Sequence, residues 1–319
     1  MYKMLTLETE PAFRQLMQDE MYIRVANFFI SQKSDVTLRE IKRNLPDQKN
    51  IERKMESWID MGVVSRCNGR YQLNGEILSK DEQNHIQNIC DESFNHYLSD
   101  LRKSIFSLNV SMKDQSFYLT HALFNLLSKQ MAKLSYIEDV ESLNDITHLP
   151  FYLQKLSGIK TTFMSYESLN GLGECKSLSS YFFEQRYHLN TESSNFIELN
   201  NKIGDVNKVY FMTYIDRKLR RIDKGRHVSS TSPDIFLEAL EILNYLMIEN
   251  DSYRLSLTVI EKDIEQMMLE VLKPVIDRMR QHLAKEFGVY ELLVCLDNLK
   301  RYELMIGSDS LTGYYRVKA

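Results

Sequence analysis

The 319-residue chain is poor in the residues that break regular structure, with 11 glycines and 5 prolines. Average usage would supply about twice as many glycines and three times as many prolines. Few tight turns are expected, and long helices with them. Cysteine is scarce as well. The four thiols (67, 90, 175 and 295) are scattered, with no C-x-x-C pair and no histidine at ligand spacing. That gives neither a disulfide framework nor a thiolate metal set. No run approaches the roughly 18 apolar residues of a membrane span. The start MYKMLTLETEPAF carries acids where a signal peptide would have its apolar core. These absences point to a soluble, reduced, cytoplasmic protein with no membrane partner.

Catalytic signatures are missing too. There is no G-x-S-x-G, no P-loop and no dinucleotide fingerprint. NGLGECKS at 170–177 holds two glycines but lacks the strand a phosphate loop needs, and reads as a turn. Glu82/His85 and Glu92/His96 have helical spacing, yet no matching second Glu-x-x-His pair exists for a di-metal bundle. They read as solvated charges. No nucleophile, base and orienter can be assembled, so neither an enzyme nor a cofactor is expected. No internal repeat and no low-complexity tract is evident.

What is present is a clear local pattern at Thr37–Leu73, read as TLREIKRNLP, DQKNIERKMESWIDMG and VVSRCNGRYQL. Thr37 with Glu40 is a capping box, so a helix starts there and stops before Pro46. Asp47 or Asn50 can cap the next helix, whose Ile51, Met55, Trp58 and Ile59 form one stripe. Gly62 ends it, and Asn68-Gly69 between two β-prone runs signals a hairpin. With Met21–Ile30 as a preceding apolar helix, the order predicts a winged helix-turn-helix, a module that most often grips duplex DNA.

Charge supports that reading. The chain's net charge of −4 does not suggest a nucleic-acid partner, but segment 31–75 has nine Lys/Arg against six Asp/Glu. A basic module on an acidic body suits a DNA reader. The second helix is basic in its first half, so Lys49, Asn50, Arg53 and Lys54 are expected to meet bases or nearby phosphates. Lys42 and Arg43 would contact the backbone. A two-residue turn at 68–69 pairs Cys67 with Arg70 and Arg66 with Tyr71, which puts Arg70 at the tip. Arg66 would lay its stem on apolar surface and reach out with its head.

Beyond the wing the pattern turns helical. Ser79 should cap a helix whose stripe runs Ile86, Ile89, Cys90, Phe94, Tyr97, Leu98 and Leu101. Lys113–Leu134 is apolar almost all round and should be buried in a bundle or at a dimer seam, with His121 a core histidine. Leu134–Gly173 reads as short helices and a loop. Helices are expected at Lys176–His188, at Glu192–Ile203, and after a cap at Asp205. DRKLRRIDKGR at 216–226 reads as a solvated helix end or as a second phosphate-contacting patch. Lys224–Thr231 is placed as a linker, and Ser232-Pro233 as the opening of a helix through Met247. Tyr253–Ile260, Tyr290–Asp297 and Gly313–Val317 are candidate strands. Lys262–Phe287 is a long amphipathic helix with Pro274 inside, so a kink or break is expected at Lys273. The organisation expected is thus a mainly α protein: 1–76 a winged helix-turn-helix with a leading arm, 77–228 a helical domain, 229–319 a small α or α+β domain.

Two stretches resemble an uncharacterised family of lactic-acid-type Gram-positive bacteria, catalogued as a domain of unknown function. They are VTLREIKRNLPDQKNIERKMESWIDMGVVSRCNGRYQL at 36–73, and SLSSYFFEQRYHLN followed by IGDVNKVYFMTYIDRKL within 177–219. The resemblance covers roughly residues 1–230 and implies a boundary there. It carries over no activity and no functional residue. The residues themselves predict a DNA-binding regulator whose body dimerises or senses a small-molecule effector. The alternative is a cytoplasmic scaffold whose winged helix binds a protein.

Overall fold

The computed structural model describes residues 2–5, 16, 19–32, 35–46, 50–127, 135–138, 152–158, 161–167, 175–187, 193–283, 285, 289–307 and 310–316. Among them the chain runs β1 (Tyr2–Leu5), α1 (Glu20–Gln32), β2 (Val36–Thr37), α2 (Leu38–Asn44), α3 (Ile51–Asp60), β3 (Val64–Cys67), β4 (Arg70–Leu73) and β5 (Glu76–Leu78). Then come α4 (Lys80–Phe106), α5 (Met112–Leu127), β6 (Ser135–Glu138), β7 (Tyr152–Ser157), β8 (Thr161–Glu167), α6 (Leu178–Tyr187), α7 (Ser194–Ile203) and α8 (Lys208–Asp223). The chain closes with α9 (Ile235–Ile242), β9 (Leu246–Glu249), β10 (Ser252–Leu255), β11 (Thr258–Ile260), α10 (Lys262–His282), α11 (Val289–Arg301) and β12 (Ser310–Arg316). The protein is mainly α with small sheets, and no described helix is long and apolar enough to cross a membrane.

Two compact units share the chain. The first takes 1–98, 124–146 and 273–298; the second takes 99–123, 147–272 and 299–319. The expected boundaries at 76/77 and 228/229 both fall inside a unit.

In the first unit, α1, α2, α3 and the β2-β4-β3 sheet close over Tyr22, Val25, Phe29, Ile41, Ile51, Met55, Trp58, Val64 and Tyr71. Trp58 meets Tyr22 edge-on at 5.1 Å, and the Tyr22 hydroxyl lies 2.5 Å from that of Tyr136 on β6. β6 is the middle of a second sheet, antiparallel to β1 and parallel to β5.

The second unit holds the four-stranded sheet β11-β12-β8-β7, with β12 parallel to β11 and antiparallel to β8. Its core gathers Phe163, Tyr181, Phe182, Phe211, Ile215, Phe236, Leu240, Tyr245, Tyr253 and Tyr314. At Gly313 the strand passes so close to Phe117 that an added Cβ would stand 2.3 Å from that ring.

Several expectations are corrected. The stretch expected as short helices and loop contributes strands β6, β7 and β8, because Tyr, Thr, Phe and Leu there suit a pleated sheet. Tyr290–Asp297 is helical, not a strand. Every residue from Val289 to Leu296 is buried, and an apolar run of that kind reads alike in either conformation. The helix expected through Met247 begins after the Asp234 cap, whose carboxylate accepts from the amides of Phe236 and Leu237, and it ends at Ile242. Asn207, not Asp205, caps α8. Tyr253–Ile260 is split between β10 and β11, and α10 continues through Pro274 without ending. The expected helix to Leu134 is described as far as Leu127, and 128–134 lie outside the described residues. Lys224–Thr231 is no free linker: Ser229 bridges to Ser252, and the amide of Tyr253 donates to the Val228 carbonyl.

The order of elements also repeats, against expectation. The series helix, hairpin, short strand, long helix, helix, strand occurs once as α3-β3-β4-β5-α4-α5-β6 and again as α9-β9-β10-β11-α10-α11-β12. In both, the last strand runs parallel to the short one and antiparallel to an earlier strand.

Candidate nucleic-acid interface

The site begins with Thr37, whose hydroxyl accepts the Glu40 amide at 3.3 Å, while the Glu40 carboxylate accepts the Thr37 amide at 2.7 Å. This reciprocal cap starts α2 as expected. The Thr37 amide, and after it the Thr37 hydroxyl donating to the same carboxylate at 2.7 Å, hold the Glu40 carboxyl below its ordinary value, with Arg70 and Arg43 adding to the effect. Arg43 and Arg70 are therefore neighbours of one carboxylate.

Helix α3 follows from Asn50, which has φ of 61° and makes no side-chain cap bond. Of the two candidate caps, Asp47 lies outside the described residues, and Asn50 supplies a left-handed backbone turn, which asparagine tolerates, with its side chain exposed. Ile51, Met55 and Trp58 point into the core. Arg53 lies on the opposite, exposed face and forms no ion pair with a described residue. Lys54 is tied down by Asp19 at 2.8 Å, and Lys42 is paired with Glu52, bracing α2 to α3. Both pairs lie at the surface, so they are intramolecular but weak. Lys49 lies outside the described residues.

The hairpin turns at Asn68 and Gly69, with φ of 50° and 75°, the signature of a type I′ turn. Cys67 faces Arg70 and Arg66 faces Tyr71, in the expected register. The Arg66 guanidinium carbon lies 5.3 Å over the Tyr71 ring centre, a cation–π contact that leaves the residue exposed. Arg70 is not a free tip: its Nη1 donates to the Asp35 carbonyl at 3.0 Å, clipping β4 to the start of β2. Arg39 on α2, one of the nine basic residues of segment 31–75, is exposed and without an ion pair to a described residue. Its only sequence signal is its place four residues before Arg43.

Sequence reasoning missed a second constellation, in the second unit. His121 on α5 lies with Nε2 2.8 Å from Glu265 of α10 and 2.8 Å from the Tyr315 hydroxyl of β12, and its Nδ1 bonds the Tyr166 hydroxyl of β8. Tyr315 donates to Glu265 at 2.9 Å. One proton arrangement gives each of the four groups a partner: Tyr166 donates to Nδ1, while Nε2–H and the Tyr315 hydroxyl donate to Glu265, leaving the Nε2–Tyr315 approach without a proton of its own. Burial lowers the imidazole's affinity for a second proton, with Glu265 opposing the effect. The group is nearly closed to solvent and links a helix pair to the sheet. The expected core role of His121 omitted these partners, which lie 45 to 194 positions away in sequence.

Residues 3–108 match a family model described as a domain of unknown function (DUF1803), about a third of the chain. The match takes in the 36–73 stretch and not the 177–219 stretch on which the resemblance also rested. No curated protein and no solved structure matches the chain.

Proposed function

We propose that α1, α2, α3 and the β3-β4 hairpin form a winged helix-turn-helix and that the chain is a DNA-binding regulator. The observation that carries this reading is the set Arg39 and Arg53, exposed and without an ion pair among described residues, Arg43, exposed beside Glu40, and Arg66 and Arg70 held in place on the hairpin. Arg66 and Arg70, already held by Tyr71 and the Asp35 carbonyl, would meet phosphates at a reduced ordering cost, and α3 offers Arg53 and Lys54 in its first turn for a major groove. The remainder of the chain would supply dimer contacts or an effector site. The four cysteines are unbridged, as suits a reducing cytoplasm.

The test is binding of the whole protein to labelled duplex DNA across a salt series. We expect log affinity to fall steeply with log salt, and Arg53→Glu with Arg70→Glu to cost at least tenfold. Unchanged affinity in that double variant would sink the reading. The scaffold alternative draws on the Lys42–Glu52 and Lys54–Asp19 pairs, which withdraw two of the expected cations. It predicts a stoichiometric protein partner whose capture is indifferent to nuclease.

A further inference from the structure

The repeated order of elements extends to backbone conformation at a constant displacement of 182 positions. Gly62 (φ 73°), Asn68 (50°) and Gly69 (75°) correspond to Asn244 (55°), Asn250 (49°) and Asp251 (56°). Tyr71, Leu73, Lys80 and Asp81 correspond to Tyr253, Leu255, Lys262 and Asp263. The Val63 amide bonds the Trp58 carbonyl as that of Tyr245 bonds Leu240. The Thr37–Arg70 pairing of the first hairpin has a counterpart in the Ser229–Ser252 bridge, although α2 and its Lys42 have none between α8 and α9. α1 packs on β4 as α8 packs on β10. The chain thus presents one arrangement twice, α3 to β6 and α9 to β12, each with a helix packed on its hairpin, and the two are called copies below.

The second copy lacks the matching cations of helix and wing, and the one arginine of its hairpin, Arg254, pairs with Glu249 at 3.5 Å. Ile235 and Phe236 stand where the first has Arg53 and Lys54, and Ile248 and Ser252 stand for Arg66 and Arg70. Met247 and Ile248 are about half exposed beside Glu249 and Asp251, a surface unsuited to phosphates. Its cations lie at the end of α8 instead. Arg217, Arg221, Lys224 and Arg226 are exposed, and none pairs with a described carboxylate. Asp216 is buried under Thr161 and Arg220. Gly225, at φ 68°, folds the chain back so that the Arg226 amide meets the Arg221 carbonyl at 2.9 Å, and Arg221 reaches the His227 carbonyl at 3.4 Å. That closure holds the four cations on a fixed frame. The helix dipole accounts for a cation at Arg221 but not for Arg217, a turn earlier, whose charge repels Arg221.

We propose that the Arg217–Arg226 face is a second contact for the phosphate backbone of duplex DNA, so that each copy grips the duplex through a different element. This rests on the DNA-binding reading for its first grip but stands on its own residues. The experiment compares the intact protein with R217E/R221E, R217K/R221K, R53E/R70E and the charge-matched control K103E/K262E. Anisotropy of a labelled duplex of about 30 base pairs is followed between roughly 50 and 200 mM salt. R217E/R221E should cost at least tenfold and flatten the salt slope by about two, additively with R53E/R70E, while R217K/R221K keeps both near wild type. The proposal is overturned if R217E/R221E matches wild type, if K103E/K262E loses as much, or if the wild type does not bind the duplex. Loss in R217E/R221E with R53E/R70E silent would overturn the first grip and leave the second standing.

Discussion

At the scale of the residue, His121 shows how burial sets chemistry. Its imidazole is stacked on Phe117 at 5.8 Å and enclosed by two tyrosines, so the protonated form loses its water. The folded value therefore lies below the ordinary 6.5. An unfolded chain takes up that proton near pH 6.5, and the folded chain does not. The contribution of His121 to stability is thus whole above about pH 6.5 and is lost as pH falls below it, until the folded value is reached. Imidazole resonances followed by NMR should show His121 neutral at pH 6.5 with the proton on Nε2. A midpoint at or above 6.5 would refute this. His121→Gln should flatten the corresponding fall in the urea midpoint.

At the scale of the element, local rules reach as far as local causes do. The Thr37–Glu40 cap, the Asn68-Gly69 turn, the Ser79–Glu82 cap and the buried stripe of α3 were all legible because each is decided within four residues. The four-stranded sheet was not. Its strands come from 152–167, 258–260 and 310–316, and no local signal tells an apolar run which distant strand it will pair with. α11 was misread for the same reason: burial on all sides erases the period that distinguishes helix from strand. The candidate interface was legible by residue type, while the internal pairing of Lys42 and Lys54 required the tertiary neighbours Glu52 and Asp19. Gly313 marks where β12 is pressed against α5. Gly313→Ala should destabilise by about 1–3 kcal/mol, since the buried Phe117 ring must shift. Chemical denaturation checks this, and a neutral substitution would mean that the ring has room to move.

At the scale of the whole molecule, neither unit is a continuous piece of chain. The first unit includes 273–298, where Cys295 lies 3.7 Å from Cys90 and where Val275, Ile276 and Met279 are buried. A fragment ending at 228 keeps the only tryptophan, Trp58, yet lacks that stretch. Its Trp58-reported melting midpoint should fall by about 10 °C or more relative to the full chain. An unchanged midpoint would show that 1–228 is self-sufficient. The duplication has a further consequence for gene dosage. Two copies joined by peptide bonds stay at a ratio of one to one however little protein a cell makes, whereas separate subunits part on dilution. Covalent joining also frees each copy to drift. Arg66 could become Ile248 in one while persisting in the other, because no mixed assembly of old and new subunits has to be tolerated along the way.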